Sequence, residues 1–146
     1  MTEKIGLFTH LAGFIVGLGA TTVIDWHGFL ATRSSYFTLA TIRAHKITKP
    51  LIWLGVFLAI IGGIIFYRQR GVWEFTNIQI FIALVLVLNG MFLSFWVSPN
   101  LIKREREGKD SEILPKRMQT AIATSMLLSF FGWWTEVILL ILYLLK

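Results

Sequence analysis

The chain contains four long apolar stretches, and in each of them the small and polar residues recur on one side at three- and four-residue spacing. In the first stretch Gly6, His10, Gly13, Gly17, Thr21 and Gly28 fall on one narrow stripe at about 100° per residue, with Asp25 at its border. The opposite side is Leu, Phe, Ile and Val. Residues 5–31 are long enough, at about 1.5 Å rise per residue, to cross roughly 30 Å of hydrocarbon with some tilt. The run is too long for a signal peptide and carries Asp25, so it predicts a first transmembrane helix. Lipid supplies no hydrophobic drive between helices, so a stripe of small residues marks where another backbone or a flat ligand approaches closely.

The same reading extends along the chain. Arg33 to Lys49 is basic and partly amphipathic, which predicts a short helix lying at the membrane surface. Pro50 then sits in the first turn of a second span, residues 50–67, whose small face is Gly55, Ala59 and Gly62. The third span, 75–97, has Gln79, Ala83, Gly90 and Ser94 on its small or polar side and Asn89 near mid-membrane, and Ser98-Pro99-Asn100 is expected to stop it. A charged helical extension from Lys103 to Asp110 should turn at Gly108. The fourth span, 115–145, aligns Met118, Ala121, Ser125, Ser129, Gly132, Glu136 and Tyr143 on one side. The expected fold is all-α: an integral membrane four-helix bundle forming one domain, 1–146.

Composition agrees with that class. The 146 residues are 55% hydrophobic and 15% charged, with a mean hydropathy of +0.70, whereas soluble domains carry about 25% charged residues. The absence of cysteine excludes disulfides, thiolate metal sites, iron–sulfur clusters and covalently attached haem. The net charge of +6 does not point to nucleic acid, because it gathers at helix ends. Ten of the 14 Lys and Arg residues follow the first and third spans, and only Lys4, Arg68, Arg70 and Lys146 lie at the other end. By the positive-inside rule both termini are expected to be non-cytoplasmic, in a multi-pass protein of the inner cell membrane. Trp26, Trp53 and Trp96 would line the basic end and Trp73 the opposite one, with Trp133 and Trp134 deeper.

Titratable groups at membrane depth are costly and tend to mark ligands, proton paths or mutual partners. His10 lies about five residues inside its boundary and Glu136 about nine inside its own, a depth difference of about 6 Å on antiparallel helices. They are read either as a buried polar pair that sets helix register, or as a functional pair with His10 an axial ligand or proton carrier and Glu136 its orienting partner or a proton acceptor. In the second reading Gly13 and Gly17 flank the cofactor. Asp25 is expected to pair with a cation of the following segment, and His27 and His45 to be interfacial. Asn89 is expected to bond between helices or contact a substrate. No phosphate loop, zinc-protease motif or serine-triad context is present.

The early histidine, its continuation HLAGFIVGLGATTVID, the second-span segment WLGVFLAIIGGI and the third-span ending LNGMFLSFWVSPNL resemble four-helix membrane proteins of the CopD/HemJ-like group. For the protoporphyrinogen oxidase branch the resemblance implies a b-type haem and a histidine early in helix one, which His10 matches. The lysine of that branch's third helix has no counterpart between Phe75 and Val97. Three functions stay open on the sequence: a haem- or quinone-associated redox protein with His10 as ligand, a non-catalytic subunit or assembly factor packing in a homo-oligomer or larger membrane complex, and a small transporter or proton conduit through Asp25, Asn89 and Glu136.

Overall fold

The computed structural model describes residues 1–110 and 112–146, and among these it is helical with no strand. Helix α1 (Thr2–Ala31) and helix α2 (Ser35–Arg70) form a hairpin. Helix α3 (Thr76–Phe92) runs through a π-helical turn (Leu93–Val97) directly into α4 (Ser98–Arg106). A loop turning at Gly108, whose φ is +69°, leads to α5 (Lys116–Leu145). Counting α3 to α4 as one rod, the four rods are each long and apolar enough to cross a membrane. The chain is an all-α, multi-pass membrane bundle in which α1 packs on α2 along its length, α5 packs on α1 and α3, and α4 returns to α2.

The α1–α2 seam explains the glycine stripe. A Cβ built on Gly13 would stand 2.2 Å from the Ala59 backbone nitrogen, and one on Gly62 would stand 2.2 Å from that of His10. On Gly6 it would meet the Phe66 backbone at 2.7 Å, and on Gly55 the Gly17 backbone at 2.4 Å. Real carbon atoms do not approach this closely, so hydrogen is the only substituent these positions accept at this helix separation. Where the stripe leaves α2 it meets α5, and the indole of Trp133 lies over Gly17.

Two elements differ from the expectation. Pro50 does not open the second span: it lies inside a continuous 36-residue α2. The predicted surface helix is the first part of that same rod, held in line because Thr38, Thr41, Ile42 and Thr48 bury one face. Ile42 joins Ala31, Val97, Leu101, Leu114, Met118 and Ile122 in a core at the basic end. Likewise Ser98-Pro99-Asn100 does not stop the third span. Proline clashes with the carbonyl four residues before it, and the wider π-helical turn immediately ahead of Pro99 absorbs that conflict and lets the helix continue. The second core, Phe14, Phe66, Leu86, Trp133, Leu140 and Tyr143, lies toward the end that carries the termini.

Candidate functional site

Near the termini end, α1 delivers His10 into the bundle, 8% exposed. Its Nδ1 lies 2.5 Å from the Ala59 carbonyl oxygen. A carbonyl only accepts, so Nδ1 carries the proton and Nε2 presents its lone pair. That Nε2 is buried without a hydrogen-bond partner. The ring is held from three sides: edge-on by Phe14 with centroids 4.6 Å apart, edge-on by Tyr67 at 6.1 Å, and by the bare backbone of Gly63, on which a Cβ would come within 3.0 Å of His10 Cε1.

Glu136 on α5 is also buried, at the backbone of Ala83 on α3, and its Oε1 has no partner. The two residues expected to pair do not do so: no ion pair or hydrogen bond joins His10 to Glu136 among the described residues. Tyr67 is their common neighbour, packed against the imidazole and within electrostatic reach of Glu136. It belongs to a polar string, in which Trp73 Nε1 donates to Gln79 Oε1 at 2.8 Å and Gln79 Nε2 donates to the Tyr67 hydroxyl at 2.9 Å. Tyr143 closes the cluster by donating to the Gly71 carbonyl at 2.6 Å.

His10 offers a single imidazole nitrogen with a free lone pair, the kind of donor that a metal takes as ligand. Metal-bound histidines typically donate their other ring N–H to a carbonyl or carboxylate, which fixes tautomer and ring orientation, and the bond to Ala59 does this. Gly13 and Gly17 do not frame an open groove, since Ala59 and Trp133 fill the space above them. Ligand pockets run to about 300–1,000 Å³, whereas two cavities beside α1, of about 60 and 30 Å³, are lined neither by His10 nor by Glu136. Seating a macrocycle at Nε2 therefore requires the Phe14 or Tyr67 ring to turn aside.

The other polar residues have separate settings. Asn89 donates to Ser129 Oγ at 2.9 Å and to the Ser125 carbonyl at 3.1 Å, and accepts from Ser125 Oγ at 2.8 Å, tying α3 to α5. Asp25 takes part in none of the ion pairs among the described residues. It lines both of the cavities beside α1. His27 is half-buried, its Nδ1 donating to the Val23 carbonyl at 2.8 Å along its own helix. His45 is not confined to the surface, for its Nε2 is buried without a partner and its side chain lines the larger cavity.

Tyr67 and the two threonines Thr21 and Thr41 were not singled out as chemistry by sequence reasoning. Tyr67 reads as a boundary aromatic, and its role depends on neighbours from α1, α3 and α5. The threonines lie on interior faces that periodicity alone could have identified, but their missing partners are a tertiary property. Compared with known protein families, with curated proteins and with solved structures, the chain matches none.

Proposed function

We propose that this chain is a small redox protein of the membrane that binds a b-type haem, which Nε2 of His10 would hold through its iron. The observation that carries the reading is the fixed tautomer: Nδ1–H is committed to Ala59, and a buried lone pair on Nε2 is left with nothing to bind. An unpaired polar atom at this depth costs free energy that ligation would recover. The tautomer favours haem over a quinone, because a quinone carbonyl needs a donor and a neutral imidazole has only the one already in use. The resemblance of the sequence to the CopD/HemJ-like group agrees with it.

When bound, the haem would supply one-electron transfer within the bilayer. The chain's own part is to orient the imidazole through Ala59 and to hold a proton at Glu136 Oε1 as the charge of the cluster changes. In this reading both termini lie outside the cytoplasm, which the Lys and Arg bias supports, and the membrane is the inner one. Protein purified in detergent from haem-replete cells should show a Soret band that His10→Ala abolishes. Glu136→Gln should retain that band and weaken the pH dependence of the midpoint potential. A wild-type protein without visible absorbance after expression with excess haem precursor sinks the reading.

A second reading, a non-catalytic subunit, is favoured by a groove on the α3–α5 face of about 440 Å³. Leu88, Phe92, Ala121 and Leu128 line it, with Asn89 and Ser125. A colourless protein that sediments with a partner, and loses that partner when Ala121→Trp fills the groove, would favour this reading instead.

A further inference from the structure

We propose that Asp25 is a proton-exchange group at the neck of a hydrated half-channel that enters the bundle from its basic end and stops at mid-membrane. This does not rest on haem binding at His10. The larger cavity beside α1, about 60 Å³, is lined by Asp25, Thr41, His45, Lys49, Trp53 and Ser94. The smaller, about 30 Å³, runs deeper and is lined by Thr21, Asp25, Trp53, Ser129 and Trp133. Asp25 belongs to both, and with it Ile24, Ile52, Trp53, Gly90 and Leu93, so the two spaces adjoin along a wall that includes Asp25.

Each space also holds a buried hydroxyl without a partner. Thr21 is 4% exposed and Thr41 3%, and neither Oγ1 has a hydrogen bond. His45 Nε2 adds a third such atom, in the larger space. Buried polar groups are paired in the great majority of native structures, and a buried water needs roughly 10–15 Å³ and two or more polar partners. Each of the two spaces exceeds the volume that one water needs, and waters there would satisfy Thr41 and His45 in the larger and Thr21 in the smaller, with Asp25 between them. The wall facing Asp25 is built by the π-helical turn, which is where Ser94 accepts twice: its carbonyl from Lys49 at 3.3 Å and its hydroxyl from Trp53 Nε1 at 3.0 Å. These bonds commit Lys49 and Trp53 to Ser94, and no ion pair joins Lys49 to Asp25 among the described residues.

The ionisable groups sharing the two spaces with Asp25 are His45 and Lys49, both from α2; α3, the π-helical turn and α5 contribute none. The step itself is simple. An Asp25 carboxylate takes a proton from a hydronium in the larger space, leaving water and a neutral carboxylic acid, and the reverse returns it. Inward of Thr21 the way is closed by Trp133, which packs on Gly17 and, edge-on, on Phe14.

Infrared spectra of the full chain in lipid vesicles test this, with wild type beside Asp25→Asn and Glu136→Gln. Expected is a protonated-carboxyl band that is lost in Asp25→Asn, kept in Glu136→Gln, abolished reversibly at alkaline pH, and shifted within minutes of transfer to D₂O. A band that stays undeuterated for hours, or no Asp25-dependent band at any pH, overturns the proposal. Should Asp25→Asn fail to fold, the cysteine-free chain allows a second measurement. Silver ion, a water-sized thiol reagent, should modify Thr21→Cys at least about tenfold faster than Val23→Cys, although Thr21 is buried and Val23 faces outward, because lipid excludes a charged probe. Equal rates, or a faster Val23→Cys, overturn the proposal.

Discussion

Gly13 and Gly19 sit six positions apart on one helix and obey different constraints. At Gly13 the obstacle to a side chain is the backbone of Ala59 and Gly55, which no rotamer change relieves. At Gly19 nothing lies within 4 Å of an added Cβ. Gly13→Ala should therefore force α1 and α2 apart and lower stability by about 1–3 kcal/mol, the usual range for overpacking, whereas Gly19→Ala should not lower the thermal midpoint in detergent. Equal midpoints for the two variants would mean that the seam is looser than the structure has it. The stripe itself was visible in the sequence, because helical periodicity is a one-dimensional property. What covers it was not, because Ala59 and Trp133 are 46 and 120 residues from Gly13 along the chain. The same holds for His10: its type and face are legible, but the bond that fixes its tautomer depends on which carbonyl of α2 comes opposite.

At the level of elements, the prolines mark the limit of local rules. Pro50 and Pro99 each carry a strong signal for a helix boundary, and each lies within a rod that continues. In α2 the continuation is enforced by burial of Thr38, Thr41 and Ile42 beyond the proline and by the Lys46–Glu105 ion pair, 2.8 Å, that ties α2 to α4. Pro50 thus occupies a position where an N–H could bond along the helix. Pro50→Ala restores that donor, and the variant should unfold at the same temperature as wild type or higher. A marked fall in its thermal midpoint would show that the proline-induced geometry is itself needed for packing. At the second site the π-helical turn resolves the clash, and it also presents Ser94 to Trp53 and Lys49. No residue pattern announces such a turn, since it comes from a conflict between Pro99 and continued packing of Val97, Ser98 and Leu101.

For the whole molecule, the arrangement of charge yields a prediction about orientation. The ten Lys and Arg residues that follow the first and third spans gather at one end of the bundle, where α1 turns into α2 and α4 turns toward α5. A periplasm-active reporter fused after Lys146 should be active and a cytoplasm-active one silent; the opposite pattern would refute the placement of both termini outside. The sequence by itself determined the class of protein, the number of spans and the inward-facing residues of each, because a bilayer demands about 20 apolar residues per crossing and leaves helical periodicity to sort the faces. Only the tertiary structure decided that the glycine stripe is filled, that His10 bonds to Ala59 and packs on Tyr67 with no hydrogen bond or ion pair to Glu136, and that Asp25 lines two small cavities with no ion partner among the described residues. Those outcomes depend on the rotation and register of one helix against another, which are set by contacts between residues distant in the chain. A helical period places His10, Asp25 and Glu136 on inner faces, but it does not say which residue of a neighbouring helix stands opposite them.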